Sequence, residues 1–317
     1  MAEVVSLGEI LIDMMPVEDA ENVYRAIPGG APANFLTQVH RLGHAVSFIS
    51  TVGRDHFGEA IIAELHKNAI DTTHVKVSDT VPTTLAFVHH DADGDRSFSF
   101  YRNPGADLMT TLDDADRALI AGARVLHVGT LSMVEDPART ATLDALAFAQ
   151  EHGVRVSFDP NFRENLWQHK DEMVDAAKVI LPYVHIAKIS LEEVEWICGG
   201  TDLEQNVRTL FALAPLELLT VTNGNEDALA ITRHAHVRVP AFAVPAVDTT
   251  GCGDAFGGTM LASVLDAPKP LATWNEADLR NAVRRGNAAG AITATRQGAM
   301  PALPTDAEIQ TFLVERA

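Results

Sequence analysis

Two cysteines, Cys198 and Cys252, are all that 317 residues provide, and neither belongs to a CxxC pair. A disulfide framework is therefore excluded. Positive charge is scarce as well: 24 Lys and Arg stand against 43 Asp and Glu, a formal charge of -19, with no basic run and no acidic tail. That balance disfavours non-specific binding to nucleic acid or to an anionic membrane. Long apolar runs are missing too, since none approaches the roughly 20 residues of a spanning helix. The opening "MAEVVSLGEILID" lacks a basic head and carries Glu9 and Asp13 inside its apolar stretch, so it reads as a first strand and not as a signal peptide. These absences lead us to expect a soluble, reduced, cytoplasmic protein.

What is present is a chain with 47% hydrophobic residues, enough to bury a full core as one large domain with a small appendage. Strand-like segments rich in β-branched residues recur at "VSFISTVG", "RVLHVGT", "VRVSFD", "HIAKIS" and "LLTVT". Helical patterns separate them; in "DHFGEAIIAELHKNA", Phe57, Ile61, Ile62 and Leu65 share one face. Strand and helix in alternation predict an α/β fold, a mostly parallel sheet covered by helices on both faces. In such folds, ligands bind beyond the carboxyl ends of the strands.

Two stretches break this rhythm. "TTLAFVHHDADGDRSFSFYRN" reads as two strands around an Asp-Gly turn, and "MMPVEDAENVYRAIPGG" has no helical period. Together, over approximately 14–28 and 82–103, they predict a small β flap over the ligand end of the sheet; a plain surface hairpin is the alternative.

A loop, "DTTGCGDAFGGTM" from Asp248 to Met260, leads into a helix expected to begin near Gly253 and to bury Phe256, Met260, Leu261, Val264 and Leu265. A glycine-rich segment entering a helix offers unpaired N–H groups and the positive end of the helix dipole, an anion site. It is neither a Walker A loop, for no Gly-Lys-Ser/Thr follows, nor a dinucleotide fingerprint, for Phe256 stands at the third glycine. Asp254 is then either a capping acid or a base that takes a proton from an attacking hydroxyl while the amides hold a phosphoryl group. A second glycine-rich element, "IPGGAPANFLTQVHRLG", places Gly29 and Gly30 before a helix ending at Gly43, with Asn34 on its first turn. The glycine pair lets a ligand approach the backbone, and Asn34 and Asp13 suit hydroxyl groups, although an Asn there is also a common cap and an Asp ending a strand a common turn former.

Both glycine-rich segments resemble signatures of the ribokinase-like, or PfkB, carbohydrate kinases: "GGAPANFLTQVHRLGHAVSFISTVG" and "DTTGCGDAFGG". "FDPNFRENLW", "KISLEEVEWICGG", "VTNG", "GNAAGAITATRQGAMPALPT" and "FYRNPGADLMT" resemble further family segments in the expected order, so the likeness spans nearly the whole chain. "GGAPAN", "DPNFRENLW" and "GAMPALPT" are most similar to bacterial fructokinases. The resemblance implies a ribokinase-like α/β fold with a β-sheet lid, ATP and Mg²⁺, and phosphorylation of a primary hydroxyl. Asp254 would be the catalytic base and Gly251, Cys252 and Gly253 the anion hole, with Asp159, Asn161 and Arg163 near the transferring phosphate. Asp13, Gly29, Gly30 and Asn34 would hold the sugar, with Tyr101 and Arg102 beside it. Ser190, Thr222, Gly224 and Asn287 would lie along the nucleotide, and Glu193 would act on Mg²⁺ through water. Asp248 and Thr250 resemble positions that hold a monovalent cation such as K⁺. A homodimer through the lid is also implied.

Four residues depart from the family pattern. Leu36 replaces a small residue, Ser190 an Asn common in the Mg²⁺ motif, and Cys252 a more frequent Ala. Asp227 stands where a second glycine near the ATP phosphates is usual, and its carboxylate would either repel the nucleotide or point away from it. The thiol of Cys252, at a helix N-terminus, is expected to be reactive; a buried small side chain is the alternative. Fructose, converted to fructose 6-phosphate, is the expected substrate. The alternative is 2-keto-3-deoxygluconate, whose carboxylate Arg102 and Arg163 would hold; ribose and nucleosides stand behind both. A catalytically silent sugar-binding protein would be expected to lack Asp254, Gly251 or Gly253, and all three are present.

Overall fold

The computed structural model describes residues 2–17, 20, 22–90 and 96–316. Thirteen strands are found among these: β1 (Val4–Leu7), β2 (Leu11–Pro16), β3 (Tyr24–Gly29), β4 (Val46–Gly53), β5 (Val75–Ser78), β6 (Leu85–His90), β7 (Arg96–Tyr101), β8 (Val125–Val128), β9 (Arg155–Phe158), β10 (Ile186–Ser190), β11 (Leu218–Asn223), β12 (Asp227–Ile231) and β13 (His236–Pro240). Ten α-helices accompany them: α1 (Ala31–Arg41), α2 (His56–Lys67), α3 (Asp114–Ala121), α4 (Ala138–Glu151), α5 (Lys170–Ile180), α6 (Leu191–Cys198), α7 (Leu203–Leu213), α8 (Cys252–Asp266), α9 (Glu276–Ala294) and α10 (Asp306–Glu315).

Nine strands form one sheet in the order β13-β12-β11-β10-β9-β8-β1-β4-β5. From β5 to β11 every pairing is parallel, and the two added strands β12 and β13 are antiparallel. Alternation within β1 sends successive side chains to opposite layers. Val4 packs with Phe35, Phe48, Phe256 and Met260, while Val5 and Leu7 pack with Leu126, Phe158 and Met173. Both faces of the sheet are thus dry, which is why its central strands read as unbroken apolar runs. No helix among the described residues is long and apolar enough to cross a membrane.

The remaining four strands make a smaller sheet in the order β3-β2-β6-β7. Here the structure corrects the sequence reading of one continuous first strand. The chain bends at Gly8, where an added Cβ would lie 2.7 Å from Pro32 Cγ, and re-enters as β2 of the second sheet. Asp13 therefore sits within β2, paired with Ile27, instead of ending β1. The expected Asp-Gly turn, residues 91–95, falls outside the described residues.

Strand β1 lies between β4 and β8, so the chain leaves it toward opposite edges of the sheet. That reversal opens a crevice at the carboxyl ends of the strands, and the smaller sheet stands beside it.

Candidate active site

A cavity of about 310 Å³ occupies this crevice. Glu9, Leu11 and Asp13 reach it from the segment joining the two sheets and from β2, Gly30 and Asn34 from the start of α1, and Phe100 from β7. Asn161, Arg163 and Lys188 enter beyond β9 and from β10, and the loop from Thr249 to Asp254 closes the opposite wall. Segments more than 200 residues apart in sequence meet here in one hydrogen bond: Asn34 Nδ2 donates to Asp254 Oδ2 at 2.8 Å.

The loop before α8 folds as its glycines require. Gly251 is the N-cap of α8 with φ of 79°, a left-handed conformation that an L side chain resists. A Cβ there would also lie 3.1 Å from Ala299 Cβ. No side chain caps α8; Cys252 N donates to Thr249 O at 3.3 Å, and the positive end of the helix dipole faces the cavity beside Gly253 and Asp254. Asp248 braces the loop from beneath: Oδ1 accepts from Thr250 N at 2.8 Å and Oδ2 from Gly298 N at 2.9 Å.

Burial pushes the Asp254 carboxyl above the usual carboxylate range, against the lowering pull of Asn34, Lys188 and Arg163. A buried acid with one oxygen fixed by Asn34 is a proton acceptor held in place. The Asn34 carbonyl oxygen is buried with no partner among the described residues, an acceptor suited to a hydroxyl donor. Burial also raises Asp13 and Glu9, each to about 7.

Lys188 escaped the sequence reading. Its ammonium is 3.1 Å from Asp159 Oδ2 and lies 3.1 Å from where a Cβ on Gly253 would be, beside the anion loop. Burial alone would lower its pKa, but Asp159, Glu193 and Asp254 together hold it above the usual lysine value. A strand lysine reads from sequence as an ordinary solvated charge, and only the convergence of three acids marks it. Glu9 was likewise read only as a charge interrupting an apolar stretch.

The expected site residues divide into two groups. Asp13, Gly30, Asn34, Asn161, Arg163, Thr250, Gly251, Gly253 and Asp254 are brought to the cavity. Gly29 and Gly30 meet the two acids more closely than sequence suggested: a Cβ on Gly29 would fall 2.2 Å from Asp13 Oδ2, and one on Gly30 2.8 Å from Glu9 O. Cys252 is half-exposed at the first position of α8.

Gly29, Tyr101, Arg102, Asp159, Ser190, Glu193, Thr222, Gly224, Asp248, Cys252 and Asn287 do not line the cavity. Arg102 is buried behind it, donating from Nε to Asp107 Oδ2 at 2.9 Å and from Nη2 to Leu131 O at 3.0 Å. Tyr101 points outward and is 68% exposed. Asn287 ties α9 to the end of β13 by donating to Pro240 O at 3.0 Å. Ser190 caps α6 in a reciprocal box with Glu193, whose other oxygen accepts from Phe162 N at 2.9 Å. Thr222 and Gly224 lie at the end of β11, where an added Cβ on Gly224 would meet open space. Asp227 is paired with Arg238, Nη1 to Oδ2 at 2.7 Å. Leu36 is fully buried in the core.

A fixed buried acid facing an amide-lined anion site is what transfer of a phosphoryl group to a hydroxyl needs, and the comparisons with known proteins agree with that class. The chain matches the pfkB family carbohydrate kinase over residues 1–306 and belongs to that family. It is 40% identical to fructokinase-1 of Zea mays over 319 residues, 99% of this chain and 98% of that protein. Its fold is ribokinase-like. It superposes with a TM-score of 0.88 and 30% identity on a Xylella fastidiosa fructokinase crystallised with ATP, covering 100% and 99% of the two chains. A fructokinase double mutant from Vibrio cholerae O395, solved with fructose, ADP and potassium, gives 0.88 at 32% identity, with 98% of each chain covered.

Proposed function

We propose that this protein is an ATP-dependent fructokinase that converts D-fructose to fructose 6-phosphate. The observation that carries the reading is the Asn34–Asp254 pair: the amide fixes the base with its nitrogen and keeps its buried oxygen open to a sugar hydroxyl. Asp254 takes the proton of the primary hydroxyl as its oxygen bonds to the γ-phosphorus and the bond to the departing ADP breaks. The amides of the Gly251–Gly253 loop, Arg163 and Lys188 face the charge on the transferring group. Asp13 and Phe100, carried by the smaller sheet, cover the sugar and exclude water.

Among the described residues no group of three or more His, Cys, Asp or Glu forms a metal cage, which suits Mg²⁺ as an ion that takes few protein ligands. Asp159 is buried and raised above the usual carboxylate range first by burial, with Glu193 adding to the effect. When bound, Mg²⁺ would neutralise phosphate charge, held chiefly by phosphate oxygens and water with Asp159 and Glu193 in support. A monovalent ion would sit at the Asp248–Thr250 loop.

Fructose is favoured over an acid sugar by the 40% identity to a fructokinase across 99% of the chain; Arg102 binds Asp107 and Leu131 through Nε and Nη2, while its Nη1 is buried with no partner among the described residues. We also propose that two copies associate through the outer face of the smaller sheet. Phe87 there meets Tyr24 edge-to-face and Tyr101 at a tilt, with ring centroids 5.0 and 5.2 Å away.

The test is Mg²⁺-ATP-dependent ADP release with fructose, 2-keto-3-deoxygluconate, ribose, tagatose and adenosine, run on wild type and Asp254→Asn. Turnover on fructose, lowered by at least about 10²-fold in the variant, supports the reading. Preference for the keto acid, or a variant as fast as wild type, ends it.

A further inference from the structure

Glu9 has no role in the chemistry described so far, yet it lies in the wall of the cavity. It is 3% exposed, in the short connection where the chain passes from the large sheet to the small one. Among the described residues, one donor from elsewhere in the chain reaches its carboxylate, Ala31 N at 3.3 Å from Oε1. That is a long bond for so buried an acid. Helix α1 has no side-chain cap of its own, its N-cap being Gly30 with φ of 119°. Glu9 thus sits at the positive end of α1, and the same helix carries Asn34, which fixes Asp254.

We propose that Glu9 is a substrate-contact residue whose second carboxylate oxygen accepts a hydroxyl of the bound sugar and sets which hydroxyl pattern is taken. This rests on the carbohydrate-kinase reading above. The argument is one of matching donors. The sugar end of the cavity presents three acceptors, the carboxylates of Glu9 and Asp13 and the open carbonyl of Asn34. A polyol brings hydroxyl donors in that number. The glycine pair is shaped to hold both acids. Gly29 admits the Asp13 carboxylate, and Gly30 admits the Glu9 backbone, each at a separation that a Cβ would close. Capping of α1 alone would use only Oε1 and would not require the residue to line a cavity.

The experiment compares wild type, Glu9→Gln and Glu9→Asp on fructose and on fructoses lacking one hydroxyl at a time. Gln can still accept from Ala31 N, but it turns the atom facing the cavity from acceptor to donor. In Glu9→Gln, KM for fructose is expected to rise about tenfold with KM for ATP unchanged. The penalty that wild type shows for one particular deoxyfructose should also vanish. Should Glu9→Gln fail to fold, Glu9→Asp carries the same comparison, because the shorter acid retracts from the sugar. A variant that keeps every wild-type deoxy ratio overturns the inference and leaves Glu9 as a cap. Wild type acting on another sugar ends the fructose assignment alone, and the ratios are then read on deoxy forms of that sugar. Wild type with no sugar kinase activity overturns both.

Discussion

Replacing Lys188 with Met tests how the site manages its charge. The side chain is 15% exposed and its ammonium is 3.1 Å from Asp159 Oδ2, with Glu193 and Asp254 acting on it as well. At an effective dielectric of about 20, the Asp159 contact alone amounts to about 5 kcal/mol of attraction, part of which offsets the cost of burying the ammonium. Met fills the same space and leaves three acids uncompensated. Two effects follow. First, kcat should drop about 10²- to 10³-fold, the usual effect of losing one preorganised charge at a reacting centre. Second, Asp254, already raised by burial, loses one of the groups that lower it. Its folded pKa rises further, so the acid limb of kcat/KM moves to higher pH. Stability follows the same sign. A carboxyl whose folded pKa lies above its unfolded value weakens the fold at high pH, and the penalty disappears below the unfolded value near 3.8, where both states are protonated. The variant should therefore be most destabilised, relative to wild type, in alkaline buffer. Steady-state kinetics from pH 5 to 9, with urea melts at each end, provide the measurement. A kcat within threefold of wild type together with an unmoved acid limb would refute the assignment of Lys188 to the reacting charge.

Arg102→Met should destabilise the protein by about 3–5 kcal/mol, because Asp107 is fully buried and loses its counter-charge. Adding Asp107→Leu should recover most of that loss in urea melts; no recovery, or a selective loss of sugar binding in the single variant, would place Arg102 with the substrate instead. The proposed association face makes a hydrodynamic prediction. Wild type should sediment as a dimer and Tyr101→Glu as a monomer of unchanged fold, and identical sedimentation of the two would exclude that face.

Much of this was readable in the chain. The strands from "VSFISTVG" to "LLTVT" appeared where β4, β8, β9, β10 and β11 lie, because a strand buried on both faces must be apolar throughout. The anion loop was readable from its glycines, since Gly251 adopts a backbone angle that other residues resist. The break at Gly8 was not readable. Both sides of it are apolar and β-branched, and local pattern does not say that Pro32 presses against the bend from another element.

Residue type and spacing determined the class of fold, the order of the strands along the chain and the two glycine-rich loops, because backbone angles and burial periodicity are local properties. Tertiary structure decided which charges face the cavity. Arg102, an attractive anion ligand in sequence, is turned onto Asp107, while Lys188, unremarked in sequence, and Glu9, read there only as a charge in an apolar stretch, are brought to the cavity. A charged side chain takes its role from what burial and neighbouring charges do to it. Those neighbours come from the segment after β9 and from α1, α6 and α8, which only the folded chain brings together.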